Sequence, residues 1–274
     1  MTMTIPLITL NDGTKIPQIG LGTWKIPDAD AAGVVSDAIA IGYRLIDTAS
    51  EYKNEVGVGA GIAKSGTADP GLILATKLWN ANQGYDTTLR SADDSLKRLG
   101  RSHIDLYLIH WPSPAQNKFV ETWKAFIELR KQGKVRSIGV CNFTEKHLER
   151  IIGETGVVPA VNQIELSPEL AQIPLRAFHE KLGIATQSWS PLARGQLVAR
   201  PPIIALAEKH KRTPAQVILR WHVENGLIVI PKSANHGRLV ENIGIFDFSL
   251  DADDMAVLAQ LDCGRRLGPN PDVF

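Results

Sequence analysis

The sequence predicts a closed parallel (β/α)8 barrel, the TIM-barrel class of α/β fold. Eight short segments rich in β-branched residues recur along the chain, an amphipathic segment follows nearly every one, and Gly, Pro, Asp or Asn mark the joints. Eight such units in 274 residues fit one barrel better than two halves of an open Rossmann sheet, which usually needs a second domain. We therefore expect a single domain over residues 1–274.

A β-hairpin is predicted ahead of the barrel, at residues 8–16. Asp12-Gly13 lies at its centre and can supply the positive φ angles that a tight turn needs. We expect this hairpin to cap the bottom of the barrel. The eight candidate barrel strands then follow, near residues 19–24, 44–49, 72–79, 104–111, 136–142, 161–166, 184–190 and 227–233.

Helical patterns lie between the strands, as at residues 87–99, where Leu89, Ala92, Leu96 and Leu99 share one face. Residues 194–202 and 264–274 look irregular instead, so they are candidate lids or pocket walls. Residues 194–202 and the tail that carries Arg265 and Arg266 could select acids, sugars or diketones.

No glycine cluster fits a dinucleotide-binding fingerprint. Gly20-Leu21-Gly22 is followed by Lys25 where the third glycine belongs. The glycines between residues 57 and 61 lie inside a helical pattern, which favours close helix packing over phosphate binding.

The composition is balanced, with 30 Lys plus Arg against 29 Asp plus Glu and 44% hydrophobic residues. It excludes a disordered chain and gives no basic surface for nucleic acid. Cys141 and Cys263 fit neither a CxxC nor a zinc motif, so we expect no metal and a cytoplasmic location. Residues 1–6 lack a basic leader, and no apolar run approaches the ~20 residues that a bilayer needs. We expect no membrane insertion, and a monomer is the simplest expectation.

Polar side chains at the ends of predicted strands are the candidate catalytic residues, because functional groups collect there in such barrels. Asp47 ends the second strand and Tyr52 follows it, Lys77 lies near the end of the third, and His110 ends the fourth. Each alone has an ordinary structural explanation. Together a carboxylate, a phenol, an ammonium and an imidazole at one rim favour an acid–base site.

This set suits the protonation of an alkoxide. A free phenol has a pKa of about 10, and an adjacent ammonium such as Lys77 lowers it, so that Tyr52 could donate a proton at neutral pH. Asp47 would hold Lys77 charged and in place, and His110 would orient a carbonyl oxygen. None of these groups supplies a hydride, so we expect a bound cofactor.

Two later strand ends offer amides for the carboxamide of a nicotinamide, on Asn142 and Gln163. Trp189 ends the seventh strand with a flat face that could stack on the nicotinamide ring. These residues predict where the reactive end of a nicotinamide cofactor would bind.

The eighth strand ends in a cationic cluster. Lys232, Ser233 and Arg238 place two cations and a hydroxyl close together in sequence, which suits the extra phosphate of NADPH. This pattern favours NADPH over NADH. The alternative is that both cations are surface residues of the last helix and bind no ligand.

Four stretches in one order resemble the signatures of the aldo-keto reductase family: residues 42–55 (GYRLIDTASEYKNE), 76–79 (TKLW), 105–112 (DLYLIHWP) and 230–233 (IPKS). The match runs from about residue 10 to residue 261, and several long motifs in order are highly specific. Because long inserted loops are missing, the chain is most similar to the bacterial 2,5-diketo-gluconate reductases within this family.

The resemblance implies a monomeric barrel that reduces aldehydes and ketones, with the pro-R hydride from NADPH and the proton from a tyrosine. Carried over residue by residue, the catalytic tetrad is Tyr52, Lys77, Asp47 and His110, and His110 also positions the carbonyl. The other implied contacts are Asn142 and Gln163 for the carboxamide, Trp189 for stacking, Lys232, Ser233, Arg238, Glu241 and Asn242 for the adenosine and its phosphate, and Trp24, Trp79 and Trp111 for the substrate pocket.

The chain departs from the family pattern at two places. Cys141 stands before Asn142 where a serine is usual, so a hydroxyl contact to the carboxamide is expected to be weakened. Ser167 stands where many members carry histidine, and this change could alter cofactor binding or pocket shape. Neither change touches the tetrad.

Two alternatives stay open from the sequence. Lys77 could form a Schiff base with a ketone and run aldol chemistry, although a carboxylate at Asp47 would keep that lysine protonated. The chain could also bind NADPH as a sensor or partner subunit without significant turnover.

Overall fold

The computed structural model describes residues 5–66 and 71–274 and contains the predicted hairpin and barrel. The hairpin consists of the antiparallel strands β1 (Leu7–Thr9) and β2 (Lys15–Pro17). The barrel strands are β3 (Leu21–Gly22), β4 (Leu45–Asp47), β5 (Ile73–Leu78), β6 (Ile104–Ile109), β7 (Val135–Cys141), β8 (Val161–Glu165), β9 (Ala185–Trp189) and β10 (Ile228–Val229).

Each barrel strand pairs in parallel with its neighbours along the chain, from β3 to β10. The barrel closes between its first and last strands. Ile19 and Gly22 form parallel bridges with Val229 and Lys232, and the Gly20 N–H donates to Val229 O at 2.9 Å. All eight predicted strands are therefore confirmed. Most are shorter than predicted, because their end residues leave the hydrogen-bond ladder to enter the loops.

Helices surround the barrel and connect its strands. They are α1 (Asp28–Ile41), α2 (Glu55–Lys64), α3 (Tyr85–Leu99), α4 (Phe119–Lys131), α5 (Glu145–Thr155), α6 (Ile173–Leu182), α7 (Pro201–His210), α8 (Pro214–Glu224), α9 (His236–Ile243) and α10 (Ala252–Ala259). The face predicted for α3 is confirmed, since Ala92, Leu96 and Leu99 are buried on it. No helix of the described residues is long and apolar enough to span a membrane.

The glycines of α2 serve helix packing, as predicted. A Cβ on Gly57 would lie 2.2 Å from Asp28 O of α1, and one on Gly59 would lie 2.3 Å from Leu99 O of α3. Such contacts are far inside van der Waals distance, so any larger residue would push α2 off both neighbouring helices.

The hairpin caps the amino-terminal end of the barrel, as predicted. Asn11 Nδ2 donates to Pro159 O at 2.9 Å, just before β8. The turn itself differs from the expectation, because only Gly13 of the Asp-Gly pair has a positive φ, of 86°. Asp12 instead accepts the Thr14 N–H at 2.9 Å, which turns the chain without a positive φ at the aspartate.

The barrel interior is filled by side chains that point inward from most of the barrel strands. Leu10 and Ile16 of the hairpin region close it from below. The interior cluster comprises Leu45, Ile73, Ala75, Leu106, Leu108, Cys141, Ala160, Val161, Ile228 and Ile230. This packed layer gives a rigid base to the polar residues that lie above it at the carboxyl ends of the strands.

The two segments predicted to be irregular fit that description only in part. Residues 194–202 include the start of α7, because Pro201 and Pro202 occupy its first turn, where proline is well tolerated. Residues 264–274 form no helix or strand. Both segments contribute to the wall of the cavity described below. The prediction for the N-terminus concerns residues 1–6, of which 1–4 lie outside the described residues.

Candidate active site

A cavity of about 860 Å³ opens at the carboxyl ends of the barrel strands. Asp47, Tyr52 and His110 line it, and Lys77 is fully buried directly beneath them. The four residues predicted from strand ends are thus brought together at one place. Their strands deliver them there because neighbouring parallel strands end on the same side of a barrel.

Lys77 is the centre of this group. Its Nζ donates to Asp47 Oδ2 at 2.6 Å, to Thr48 O at 2.8 Å and to Tyr52 Oη at 3.4 Å. Three acceptors therefore meet the three N–H bonds of the ammonium. Asp47 pairs in register with Ala75, and Lys77 follows two residues later on the same side of β5, which places it next to that carboxylate.

Short-range contacts hold Tyr52 over Lys77. Tyr52 ends a turn of 3-10 helix that begins at Ser50, and the Ser50 hydroxyl donates to Lys77 O at 3.0 Å. Asn54 Nδ2 donates to Thr23 O at 2.9 Å, and the Asn54 side-chain oxygen accepts from Thr48 Oγ1 at 2.8 Å. Sequence reasoning missed Ser50 and Asn54, because a small polar residue beside a catalytic loop has no distinctive pattern.

Opposing effects set the charge of Lys77. Burial is the largest single effect and lowers the pKa of this lysine, but Asp47, Tyr52 and Cys141 together raise it more, so the net pKa lies above its ordinary value. Lys77 therefore stays a cation. A buried ion pair of this kind is costly to break from one side only, because the remaining charge has no partner.

The acidity predicted for Tyr52 is wrong in its net direction. Lys77 does lower the pKa of the phenol, but burial raises it more, and the result is a pKa of about 12. Tyr52 is consequently protonated at neutral pH. That is the state a proton donor needs, and Lys77 still stabilises the phenolate that remains after donation.

His110 follows β6 and faces two aromatic rings. Its ring lies edge-on to Tyr52 at 5.7 Å and to Trp79 at 5.1 Å between centroids. Burial, with a smaller effect of Lys77, lowers the pKa of His110 well below its ordinary value. The imidazole is therefore neutral, and its buried Nδ1 has no hydrogen-bond partner within residues 5–66 and 71–274.

Two buried amides lie beside the tetrad, as predicted. Gln163 Nε2 donates to Asp47 Oδ1 at 2.8 Å. Asn142 Nδ2 donates to His110 O at 3.0 Å, and Asn142 Oδ1 accepts the indole N–H of Trp189 at 2.8 Å. Both amides and the half-buried Trp189 ring line the cavity, so their free edges face it.

The cations predicted at the last strand lie at another part of the same cavity. Lys232, Ser233 and Arg238 all line it, and Arg238 Nε donates to Ser233 Oγ at 3.5 Å. Glu241 and Asn242 do not line it. Glu241 accepts from the Thr213 hydroxyl at 2.6 Å, and Asn242 is buried within α9.

Aromatic residues form the outer wall. Trp24, Trp79 and Trp111 line the cavity as predicted. The C-terminal Phe274 packs against Trp111 at 4.8 Å and near Trp79 at 6.4 Å between ring centroids. Trp24 is 38% exposed, and the Arg194 guanidinium lies 5.5 Å from the centre of its ring. Phe274 was missed, because the tail has no periodicity that would fix where it folds.

Glu165 holds the C-terminal tail against Trp189. This buried carboxylate accepts the backbone N–H groups of Leu267 and Gly268 at 2.7 and 2.9 Å. A Cβ on Gly268 would lie 2.5 Å from Trp189 Cη2. The tail thus contacts the very ring expected to stack on a nicotinamide.

The two tail arginines do not line the cavity. Arg265 pairs with the buried Glu169 at 3.0 Å, and Arg266 lies 3.6 Å from Glu165. Both cations therefore take part in ion pairs within the protein, and Arg265 shares Glu169 with Arg200. The suggestion that they select acidic substrates has no support in this arrangement.

The two departures from the family pattern lie away from the cavity surface. Cys141 is 1% exposed in the barrel interior, where burial raises the pKa of its thiol. Ser167 is buried in a small turn with Leu170. Among the described residues, no group of three or more His, Cys, Asp or Glu could hold a metal ion.

Comparisons with known proteins agree with this geometry. The model of the aldo/keto reductase family matches residues 18–262. An aldo-keto reductase of Mycolicibacterium smegmatis is 55% identical over 98% of both chains, and the methylglyoxal reductase DkgA of Escherichia coli K12 is 47% identical over 98% of both. The crystal structure of a single-residue mutant of Gox0644 in complex with NADPH is 54% identical, covers 98% of both chains and has a TM-score of 0.95. A Bombyx mori aldo-keto reductase in complex with NADP is 36% identical, covers 99% of this chain and 97% of its own, and has a TM-score of 0.92.

Proposed function

Since this chain belongs to the aldo/keto reductase family and is an NADPH-dependent carbonyl reductase, we propose that Tyr52 donates the proton of the reaction and that the substrates are small, neutral aldehydes and ketones. One observation carries the first part. Lys77 Nζ contacts both Asp47 and Tyr52 at the floor of the cavity, at 2.6 and 3.4 Å.

The donor set of the cavity fits NADPH. Asn142 and Gln163 present amide edges beside the Trp189 ring, and Lys232 and Arg238 supply positive charge for a phosphate farther along the same cavity. When bound, NADPH supplies the hydride that reduces the carbonyl carbon. Glu241 and Asn242 lie on α9 with Arg238, so contact with adenosine stays a prediction for them.

The side chains of the floor then have separate tasks. The neutral His110 can donate an N–H to the carbonyl oxygen and orient it. Tyr52 gives its proton to that oxygen as the hydride reaches carbon, so one hydride and one proton convert the carbonyl to an alcohol. Lys77 stabilises the resulting phenolate, and Asp47 keeps Lys77 charged.

The wall of the cavity supports small, neutral substrates. Trp79, Trp111 and Phe274 give it apolar surface close to His110. Arg265 and Arg266, which could have attracted a carboxylate, pair with buried glutamates instead. Methylglyoxal, which appears in the name of the Escherichia coli relative, is a small neutral compound of this class.

Isotope transfer tests the reduction itself. NADPH carrying deuterium at its transferable position should place that deuterium on the carbonyl carbon of methylglyoxal, whereas reduction with ordinary NADPH in heavy water should place none there. Deuterium entering the carbon from solvent would contradict direct hydride transfer.

A matched pair of aldehydes tests the substrate class. Para-isopropylbenzaldehyde and para-carboxybenzaldehyde are similar in size, and neither the alkyl group nor the ionised carboxylate withdraws electrons strongly, but only the second is an anion. We expect a kcat/KM for the neutral aldehyde at least about tenfold higher, equivalent to one polar contact. Equal values, or a preference for the anion, would contradict the proposed class.

The Schiff-base alternative for Lys77 conflicts with its surroundings. A nucleophilic amine must lose its proton and reach the substrate, but this lysine is fully buried, has three hydrogen-bond acceptors, and has a raised pKa. Borohydride should therefore trap no carbonyl compound on Lys77.

The remaining proposals concern the state of the protein. We propose a single-domain monomer, because residues of one chain complete the cavity, and a cytoplasmic protein, because both cysteines are free. Light scattering after size-exclusion chromatography tests the monomer, and a dimer mass would contradict it.

A further inference from the structure

A buried glutamine of β9 lies beside the tetrad without any task in the mechanism above. Gln187 is fully buried and pairs in register with Gln163 on the neighbouring strand. Its position two residues before Trp189 places it on the same side of β9, one level deeper in the barrel. It does not line the cavity.

The hydrogen bonds of Gln163 fix the direction of its amide. Gln163 Nε2 donates one hydrogen to Asp47 Oδ1 at 2.8 Å and the other to Gln187 Oε1 at 2.9 Å. A carboxylate can only accept, so the nitrogen must face Asp47. Both N–H bonds are then used inside the protein, and only the Gln163 carbonyl oxygen remains for a ligand in the cavity.

Asn142 offers the opposite polarity. Its oxygen already accepts the Trp189 indole N–H, and its nitrogen gives one hydrogen to His110 O, which leaves one N–H. The cavity therefore presents an acceptor on Gln163 and a donor on Asn142. A primary carboxamide, with one oxygen and one NH2 group, complements this pair.

We propose that Gln187 is a positioning residue that keeps the Gln163 carbonyl directed at the carboxamide of the nicotinamide. The proposal rests on the proposed function and adds a residue that acts through Gln163. Without Gln187, the N–H of Gln163 that does not bind Asp47 would be buried without an acceptor. The amide could relieve this by rotating until that N–H faces the cavity while the other N–H still donates to Asp47.

The unpaired end of Gln187 supports this role. Gln187 Nε2 is buried and has no hydrogen-bond partner among the residues that the structure describes. An apolar side chain of similar size would avoid that cost, so the glutamine is unfavourable for packing alone. The hydrogen bond that Gln187 Oε1 accepts from Gln163 is the contact that an apolar side chain could not provide.

A cofactor analogue tests the proposal by binding alone. The acetylpyridine analogue of NADP+ carries a methyl ketone in place of the carboxamide. It therefore has no N–H that could donate a hydrogen bond to the Gln163 carbonyl oxygen. Wild-type protein should bind NADP+ about tenfold more tightly than this analogue, as expected for one hydrogen bond. In Gln187→Leu the ratio of the two dissociation constants should fall toward one, because Gln163 can then donate an N–H to the carbonyl oxygen of either ligand.

Two further variants separate positioning from structural damage. Gln187→Glu keeps an oxygen acceptor for Gln163 and should keep the wild-type ratio. Ser188→Ala changes the adjacent buried residue, whose hydroxyl contacts His222 at 3.1 Å on the other side of the strand. It should leave the ratio unchanged even if it lowers stability.

Two results would overturn the proposal. One is a wild-type ratio near one, which needs no variant and so remains decisive if Gln187→Leu does not fold. The other is an undiminished ratio in folded Gln187→Leu. Failure of the proposed function would show differently, as tight NADP+ binding by wild-type protein with no carbonyl reduction.

Discussion

The floor and the rim of the cavity are built in different ways. The floor consists of Asp47, Tyr52, Lys77, His110 and Gln163, from strand ends or the loops just beyond them. Its central ion pair measures 2.6 Å, with both partners almost completely buried. The rim consists of residues 190–200 and 263–274, which contact each other and the glutamates at and just after the end of β8.

The rim is held by contacts of another kind. Glu165 accepts backbone N–H groups of the tail, and Glu169 pairs with Arg200 and with Arg265, two arginines that are 46% and 41% exposed. Ion pairs with exposed partners contribute little, whereas breaking a buried pair is costly. We therefore propose that the chemistry rests on the buried floor, while substrate choice rests on the rim, whose ion pairs can change without unfolding the barrel.

The largest effect is expected from breaking the floor. Lys77→Met leaves Asp47 as a buried charge without its cation, so the free energy of unfolding should fall by about 3–5 kcal/mol. Turnover should fall by about a thousandfold, because the phenolate of Tyr52 loses its stabilising charge. Urea denaturation and steady-state kinetics measure the two effects.

A double variant separates these losses. Adding Asp47→Asn to Lys77→Met removes the unpaired charge, so stability should partly return while turnover does not. Recovery of turnover in the double variant would contradict the role given to Lys77.

The rim can be disturbed at Gly268, where the tail contacts the Trp189 ring. Gly268→Val would place a side chain on Trp189, where a Cβ already comes within 2.5 Å of the ring. We expect kcat/KM to fall by about tenfold, because overpacking of this size costs about 1–3 kcal/mol. Trp fluorescence quenching by NADPH should weaken in parallel.

Gly153→Ala is the matched control, because a Cβ there has no neighbour within 4 Å in the described part of the chain. It should leave both kinetics and quenching unchanged. Wild-type kinetics in Gly268→Val would mean that the tail does not control the Trp189 ring.

A more selective effect is expected at the cationic part of the cavity. Arg238→Ala removes a guanidinium suited to the extra phosphate of NADPH, so NADPH affinity should fall by about tenfold to a hundredfold. NADH affinity should change much less. Isothermal titration with both cofactors measures this, and equal losses would refute the assignment.

The smallest effect concerns pH. Burial gives Tyr52 a pKa of about 12, above the ordinary value of 10, so the folded state holds this proton more tightly than the unfolded state does. The stability that this contributes is complete below about pH 10 and is lost as pH rises toward 12. Between these values wild-type protein should therefore lose more stability than Tyr52→Phe. An equal loss in urea denaturation of the two proteins would contradict the raised pKa.

The floor was predictable from the sequence, and the rim was not. Alternating strands and helices predict a barrel. In a barrel Asp47, Lys77 and His110 must meet, because their strands end on the same side of it. The contact of Glu165 with Leu267 joins residues about a hundred positions apart through an irregular tail, and no periodicity predicts it. The net pKa of Tyr52 also needed the structure, because burial outweighs the neighbouring charge by an amount that no motif states.

Tyr52→Phe tests the central claim most directly, because it removes only the hydroxyl that contacts Lys77 at 3.4 Å. Hydride transfer to methylglyoxal should be followed in a single turnover, with NADPH binding measured on the same protein. We predict that the rate falls by about a thousandfold or more, while the dissociation constant of NADPH stays near the wild-type value. A wild-type rate in this variant would contradict the account.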